Sequence, residues 1–144
     1  SLYRSEHEEL LQRGHHVLFL QRGEAPFAVK KAPFWRESHQ LAYDHPVMNA
    51  FPHGNHTSLI WYGLATDLVF DRTKLNGIVP MLDRLDARKF DLDTYLFEQR
   101  IGRGTLIATT LRLDGGLGAQ PSGLVRNPAG RYLLELIIKQ VLES

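Results

Sequence analysis

With 144 residues, 43% of them apolar, the chain can form one domain with a real core and is too short for two ordinary ones. Its net charge is +1, and no run of Lys and Arg exceeds two residues, which argues against a nucleic-acid interface. It has no cysteine, so disulfides, thiolate nucleophiles and cysteine zinc sites are excluded.

In chain order, Ser5 to Gly14 is predicted as a short helix, capped by Ser5, acidic in its first turn and ended by Gly14. His16-Val17-Leu18-Phe19-Leu20 follows at once and is predicted as a buried strand. A helix feeding a buried strand is the second half of a βαβ unit. Either a first strand belongs to an earlier part of a longer protein, or the opening helix is peripheral. We favour the first.

Gln21 to His56 reads as a long irregular segment, punctuated by Pro26, Pro33, Pro46 and Pro52. Its aromatics (Phe27, Phe34, Trp35, Tyr43, Phe51) predict that it packs down on the core, with one helical turn at Val47 to Ala50. A second helix is predicted from Thr57 to Phe70, where Leu59, Ile60, Gly63, Leu64 and Leu68 recur at helical spacing. Gly77 to Leu82 reads as a strand, placed by Pro80 at an edge or a bulge, and Asp83 to Lys89 as a charged turn. Leu92 to Arg100 and Thr105 to Leu113 predict a hairpin around Ile101-Gly102-Arg103-Gly104. After a polar loop, Asn127 caps a final helix with Pro128 at its first position, running to about Leu142. Its apolar stretch near Leu133 to Ile138 is interrupted by Glu135 and far too short to span a bilayer. No targeting segment is recognised, which leaves the compartment open between cytoplasmic and secreted.

The polar constellations are weak as chemical signals. His45, His53 and His56 lie near Asp44 and Asp67, but in a proline-broken loop rather than at a fixed helical or hairpin spacing, so no metal site is assigned. Glu8-Glu9 and Asp83/Asp86 read as solvated charges rather than as the spaced carboxylates of glycoside chemistry. Glu98 reads as an ion-pair partner of Arg100 or Arg103, with catalysis as the other reading. Gly102-Arg103-Gly104 joins two strands, and Gly115-Gly116-Leu117-Gly118 lacks the Lys-Ser/Thr ending of a phosphate loop. Ser58 and Ser122 have no base beside them, and no cofactor is implied. Trp35, Tyr43 and Trp61 are the candidate carbohydrate-stacking residues; the competing reading puts Trp61 in the core and uses Trp35 to pin the long loop.

Five short motifs carry a resemblance. They are His45-Pro46-Val47-Met48-Asn49-Ala50-Phe51-Pro52, Leu59-Ile60-Trp61-Tyr62, Val79-Pro80-Met81-Leu82-Asp83, Leu96-Phe97-Glu98-Gln99-Arg100-Ile101-Gly102-Arg103-Gly104-Thr105-Leu106, and Asn127-Pro128-Ala129-Gly130-Arg131-Tyr132-Leu133. In this order, and with Phe34-Trp35 before them, they resemble an accessory domain at or near the C-terminus of bacterial family 2 glycoside hydrolases of the β-galactosidase and β-glucuronidase kind. The resemblance implies an α/β fold: a flavodoxin-like mixed sheet flanked by helices, as in class I glutamine amidotransferases, without its first strand. It implies a single accessory domain over residues 1–144, a fragment of a larger protein whose catalytic barrel lies elsewhere, since such a barrel needs about 250 residues. The amidotransferase nucleophile is a cysteine, and this chain has none. The expected role is therefore non-catalytic: interdomain packing, oligomerisation or shaping of a carbohydrate site, with the parent enzyme's other domains, a second copy or a sugar as partners. The alternative is a carbohydrate-binding module using Trp35, Tyr43 and Trp61.

Overall fold

The computed structural model describes residues 2–32, 38–54, 59–115 and 123–143. Among them are three α-helices and seven strands of one mixed sheet: α1 (Leu2–Gln12), β1 (Val17–Leu20), β2 (Val29–Lys31), β3 (Ser38–Ala42), α2 (Pro46–Ala50), β4 (Leu68–Phe70), β5 (Ile78–Asp86), β6 (Leu92–Ile101), β7 (Gly104–Thr109) and α3 (Pro128–Glu143). No helix among the described residues is long and apolar enough to cross a membrane.

β6 is the spine of the sheet. One of its edges pairs with antiparallel β5, which in turn carries β3. The other edge is shared in sequence. β7 occupies it from Ile101 to Leu96, and β4 meets it at Thr94, bringing β2 along. β1 then adds to β7 in the one parallel pairing among the described strands. The predicted hairpin is present, turning through Gly102 at a φ of 59°, a conformation glycine adopts without steric cost.

The opening helix begins at Leu2, before Ser5, so Ser5 lies inside it rather than capping it. Its end is as predicted. The N–H of Gly14, at a φ of 95°, bonds the carbonyl of Leu11, and the N–H of His15 reaches back to Leu10. The strand after it differs from expectation. β1 stands at the end of the sheet and is only half-buried, because among the described strands it has a neighbour, β7, on one side alone.

The segment expected to be irregular contains β2 and β3. The described prolines all stand outside these strands, and the pairing with β4 and β5 supplies what local propensity lacks. The predicted helix from Thr57 to Phe70 is not formed across the described part of that span. Leu59–Gly63 makes a 3-10 turn and Leu68–Phe70 becomes β4. The Thr66 hydroxyl accepts from the N–H of Leu68, a local bond that competes with helix continuation. Val69 and Phe70 are then buried in the sheet.

The predicted charged turn also begins too early. β5 continues through Asp86, and Asp83 and Arg84 are buried within it. Register shifts on both sides of Leu82 explain why the apolar alternation fails here. β5 holds one extra residue, Met81, before Leu82, and β6 holds one, Tyr95, before Leu96, so Met81, Leu82, Asp83 and Arg84 are buried consecutively.

The core has two parts. The larger joins Val47, Met48, Phe51, Trp61, Leu64, Leu96, Ile107, Leu133 and Ile137, so α2, the 3-10 turn and α3 cover one face of the sheet. The smaller centres on Phe70, Phe97 and Ala108, with Phe19 and Phe27 packed against them. Phe27 stands edge-on to Phe70 and to Phe97, with ring centroids 5.8 and 5.5 Å apart. Phe27 and Phe51 therefore pack down as expected, while Phe34 and Trp35 lie outside the described residues.

Candidate functional site

The densest polar cluster surrounds Asp83, whose side chain is 0% exposed. The Thr94 hydroxyl donates to one carboxylate oxygen at 2.7 Å, and the Tyr43 hydroxyl donates to the other at 2.8 Å. The Arg72 guanidinium also binds that second oxygen. Burial raises the Asp83 carboxyl above its ordinary range, and the hydrogen bonds and the Arg72 charge oppose it. Tyr43 is raised as well, first by burial and then by the neighbouring carboxylate.

The cluster extends along the sheet. The N–H of Arg72 donates to Asp93, and the Lys30 ammonium sits 2.8 Å from the same oxygen. Burial works against the Lys30 charge, yet the bond to Asp93 and the fields of Asp93, Asp71 and Asp91 leave its pKa raised. These bonds tie β2, the segment after β3, the turn at Arg72, β5 and β6 to one another. Spacing in the sequence does not mark the cluster. Asp83 and Asp86 look alike in the sequence, but only Asp83 is interior. The usable signal was Asp83 beside the apolar run Val79 to Leu82, which allows the strand to continue.

The histidines do not converge. His45 Nδ1 accepts the N–H of Val47 and caps α2, which leaves Nε2 to donate to Glu98 at 3.2 Å. His53 places its two ring nitrogens against the carbonyls of Gly54 and Met48. His56 lies outside the described residues. Among those described, no group of three or more His, Asp or Glu is arranged to hold a metal. Glu98 thus pairs with His45, not with an arginine of the hairpin; Arg100 turns to the Thr105 hydroxyl instead.

Two of the three stacking candidates are engaged within the fold. Trp61 is 1% exposed, with Phe51 and His53 beside its ring, so it presents no free face to a sugar. Tyr43 is half-buried and held by Asp83, and Trp35 lies outside the described residues. Asn127 caps α3 through Gly130 N–H, as predicted, and its amide also donates to the Gly63 carbonyl at 2.9 Å.

The residues that stand out chemically therefore hold a mixed α/β sheet and its covering helices in register. The chain belongs to the DUF8487 family, a domain of unknown function, whose family model matches residues 2–141. No curated protein matches it.

Proposed function

We propose that this chain is a non-catalytic accessory domain of a bacterial glycoside hydrolase, serving interdomain packing, oligomerisation or shaping of the carbohydrate site. One observation carries the reading: the motifs behind the resemblance join one another. His45 of the first bonds Glu98 of the fourth, and Asn127 of the fifth holds the carbonyl of Gly63, next to the second. Asp83 of the third is enclosed by Tyr43, Arg72 and Thr94. Residues used in this way support a scaffold rather than a reaction centre. The flavodoxin-like, amidotransferase-like part of the proposal rests on α1 leading into the parallel β1–β7 pair; the remaining pairings are antiparallel and lie outside that pattern.

The test is to express the chain alone and assay it on aryl β-glycosides. No turnover is expected. Turnover abolished by changing a carboxylate of this chain would overturn the reading. A barrel-encoding region in the same reading frame would support it. Titration with galactosides and glucuronides, followed by tryptophan fluorescence, tests the binding-module alternative.

A further inference from the structure

A cavity of about 340 Å³ opens where β7 leaves the edge of β6 and β4 takes that edge over. It is lined by Gln21, Arg22, Thr66, Asp67, Thr110 and Arg112, with Leu68 at the start of β4. Gln21 and Arg22 follow the end of β1, and Thr110 and Arg112 follow the end of β7. The cavity therefore lies at the carboxyl ends of the parallel strands, where neighbouring chain segments diverge. In open α/β sheets this is where ligands bind, because the diverging backbone leaves a crevice.

The rim is already ordered. The Gln21 amide bonds the carbonyls of Gly23 and Phe27 and the N–H of Phe27. The Thr66 hydroxyl is engaged with Leu68 and lies 3.2 Å from the Thr110 carbonyl. The Thr110 hydroxyl differs. Thr110 is 1% exposed, and its Oγ1 has no hydrogen-bond partner among the described residues. A buried hydroxyl left in this state is costly and unusual.

Two guanidiniums stand at the same cavity, and both face one internal carboxylate. Arg22 bonds Asp114 at 2.9 Å. Arg112 approaches the other oxygen only to 3.7 Å, beyond hydrogen-bond length, and is 47% exposed. Arg112 thus keeps donors in a fork that matches an oxyanion. Asp67 is an exposed acceptor on the same wall.

We propose that this cavity binds a small hydroxylated oxyanion. Its carboxylate or phosphate is held by Arg112 and Arg22, and its hydroxyl groups bond Asp67 and the Thr110 hydroxyl. The volume suits a compact ligand rather than a polymer. This inference stands apart from the accessory-domain reading.

The test is a titration of the ¹⁵N-labelled chain by NMR, with inorganic phosphate in one arm and glycolate in the other. Saturable shifts at the amides of Leu68, Thr110 and Arg112 are expected. Arg112→Ala is expected to weaken binding roughly tenfold or more. Thr110→Val, which removes the hydroxyl at nearly constant shape, is expected to weaken it severalfold, and Arg131→Ala on α3 to leave it unchanged. Response in the phosphate arm alone assigns a phosphate ligand; response to glycolate alone assigns a hydroxy acid; response to both retains the shared oxyanion chemistry. Absence of shifts in both arms, shifts centred on another surface, or affinity unchanged by Arg112→Ala would overturn the proposal. The Arg112 change lies on the surface, so it remains decisive if the Thr110 variant fails to fold.

Discussion

His45 reaches Glu98 across 53 residues of sequence, Nε2 to Oε2 at 3.2 Å, while its other ring nitrogen caps α2. The side chains are 7% and 18% exposed, so the pair is largely shielded from water. One imidazole therefore fixes both the start of a helix and its position over β6. Replacing His45 with Ala removes the cap and leaves Glu98 unpartnered. The expected cost is about 2 kcal/mol. His45→Asn can restore the cap but is too short to reach Glu98, so it should recover part of the loss. Urea denaturation of the two variants checks this.

Asp83→Ala should be more damaging. It strips partners from Tyr43, Arg72 and Thr94 together, and the expected loss is about 3 kcal/mol or more. Thr94→Val removes one donor and should cost about 1 kcal/mol. If both changes were neutral in denaturant melts, the cluster would have no structural role.

Glycine positions give a steric prediction. A Cβ at Gly130 would collide with the backbone carbonyl of Leu113, and one at Gly104 with the carbonyls of His15 and Leu11. Each contact sets how closely an element approaches: α3 to the segment after β7, and β7 to the end of α1. Gly130→Ala and Gly104→Ala should each cost about 3 kcal/mol through overpacking. Gly23→Ala, where a Cβ meets nothing within 4 Å, should be nearly silent. Thermal melts of the three variants test the contrast.

Acid sensitivity follows from three carboxyls held below the ordinary value of 3.8. Asp71 is lowered by its hydrogen bond from Thr73, Asp86 by the backbone N–H groups of Lys89 and Arg88, and Asp114 by Arg22. A lowered folded value means that the unfolded chain takes up the proton first. Their stabilisation is present above pH 3.8 and is lost as pH falls through the folded values. Asp83 has the opposite sign: burial raises it, so its contribution is full below 3.8 and is lost as pH rises through the folded value. Asp114→Asn should flatten the acid limb of a stability profile measured from about pH 3 to 6.

At the alkaline end, burial pushes Tyr95 up from 10.0 to about 12. The unfolded chain ionises this phenol first, so stability should fall between about pH 10 and 12. In a spectrophotometric titration, the Tyr95 phenol should resist ionisation until the chain unfolds. Tyr95→Phe should remove that step and shallow the alkaline limb.

The periodic and punctuated parts of the fold were legible in the sequence. The hairpin of β6 and β7, the Gly14 helix end, and the Asn127-Pro128 start of α3 depend on neighbouring residues and local dihedrals. The Thr57–Phe70 helix was misread because leucine spacing is ambiguous over a short apolar stretch, and sheet pairing at Phe70 and Thr94 settles it otherwise. β2 and β3 were invisible for the same reason, since their stability comes from strands distant in sequence.

The amino-acid sequence alone determined that thiol chemistry is absent from this chain, and it located the Gly14 helix end, the turn at Gly102 and the Asn127-Pro128 start of α3. Burial of Asp83, pairing of His45 with Glu98, and the cavity between Arg22 and Arg112 were decided by the tertiary structure. The physical reason is range: caps and turns are set within a few residues, whereas burial and ion pairing depend on which distant strands the sheet brings side by side.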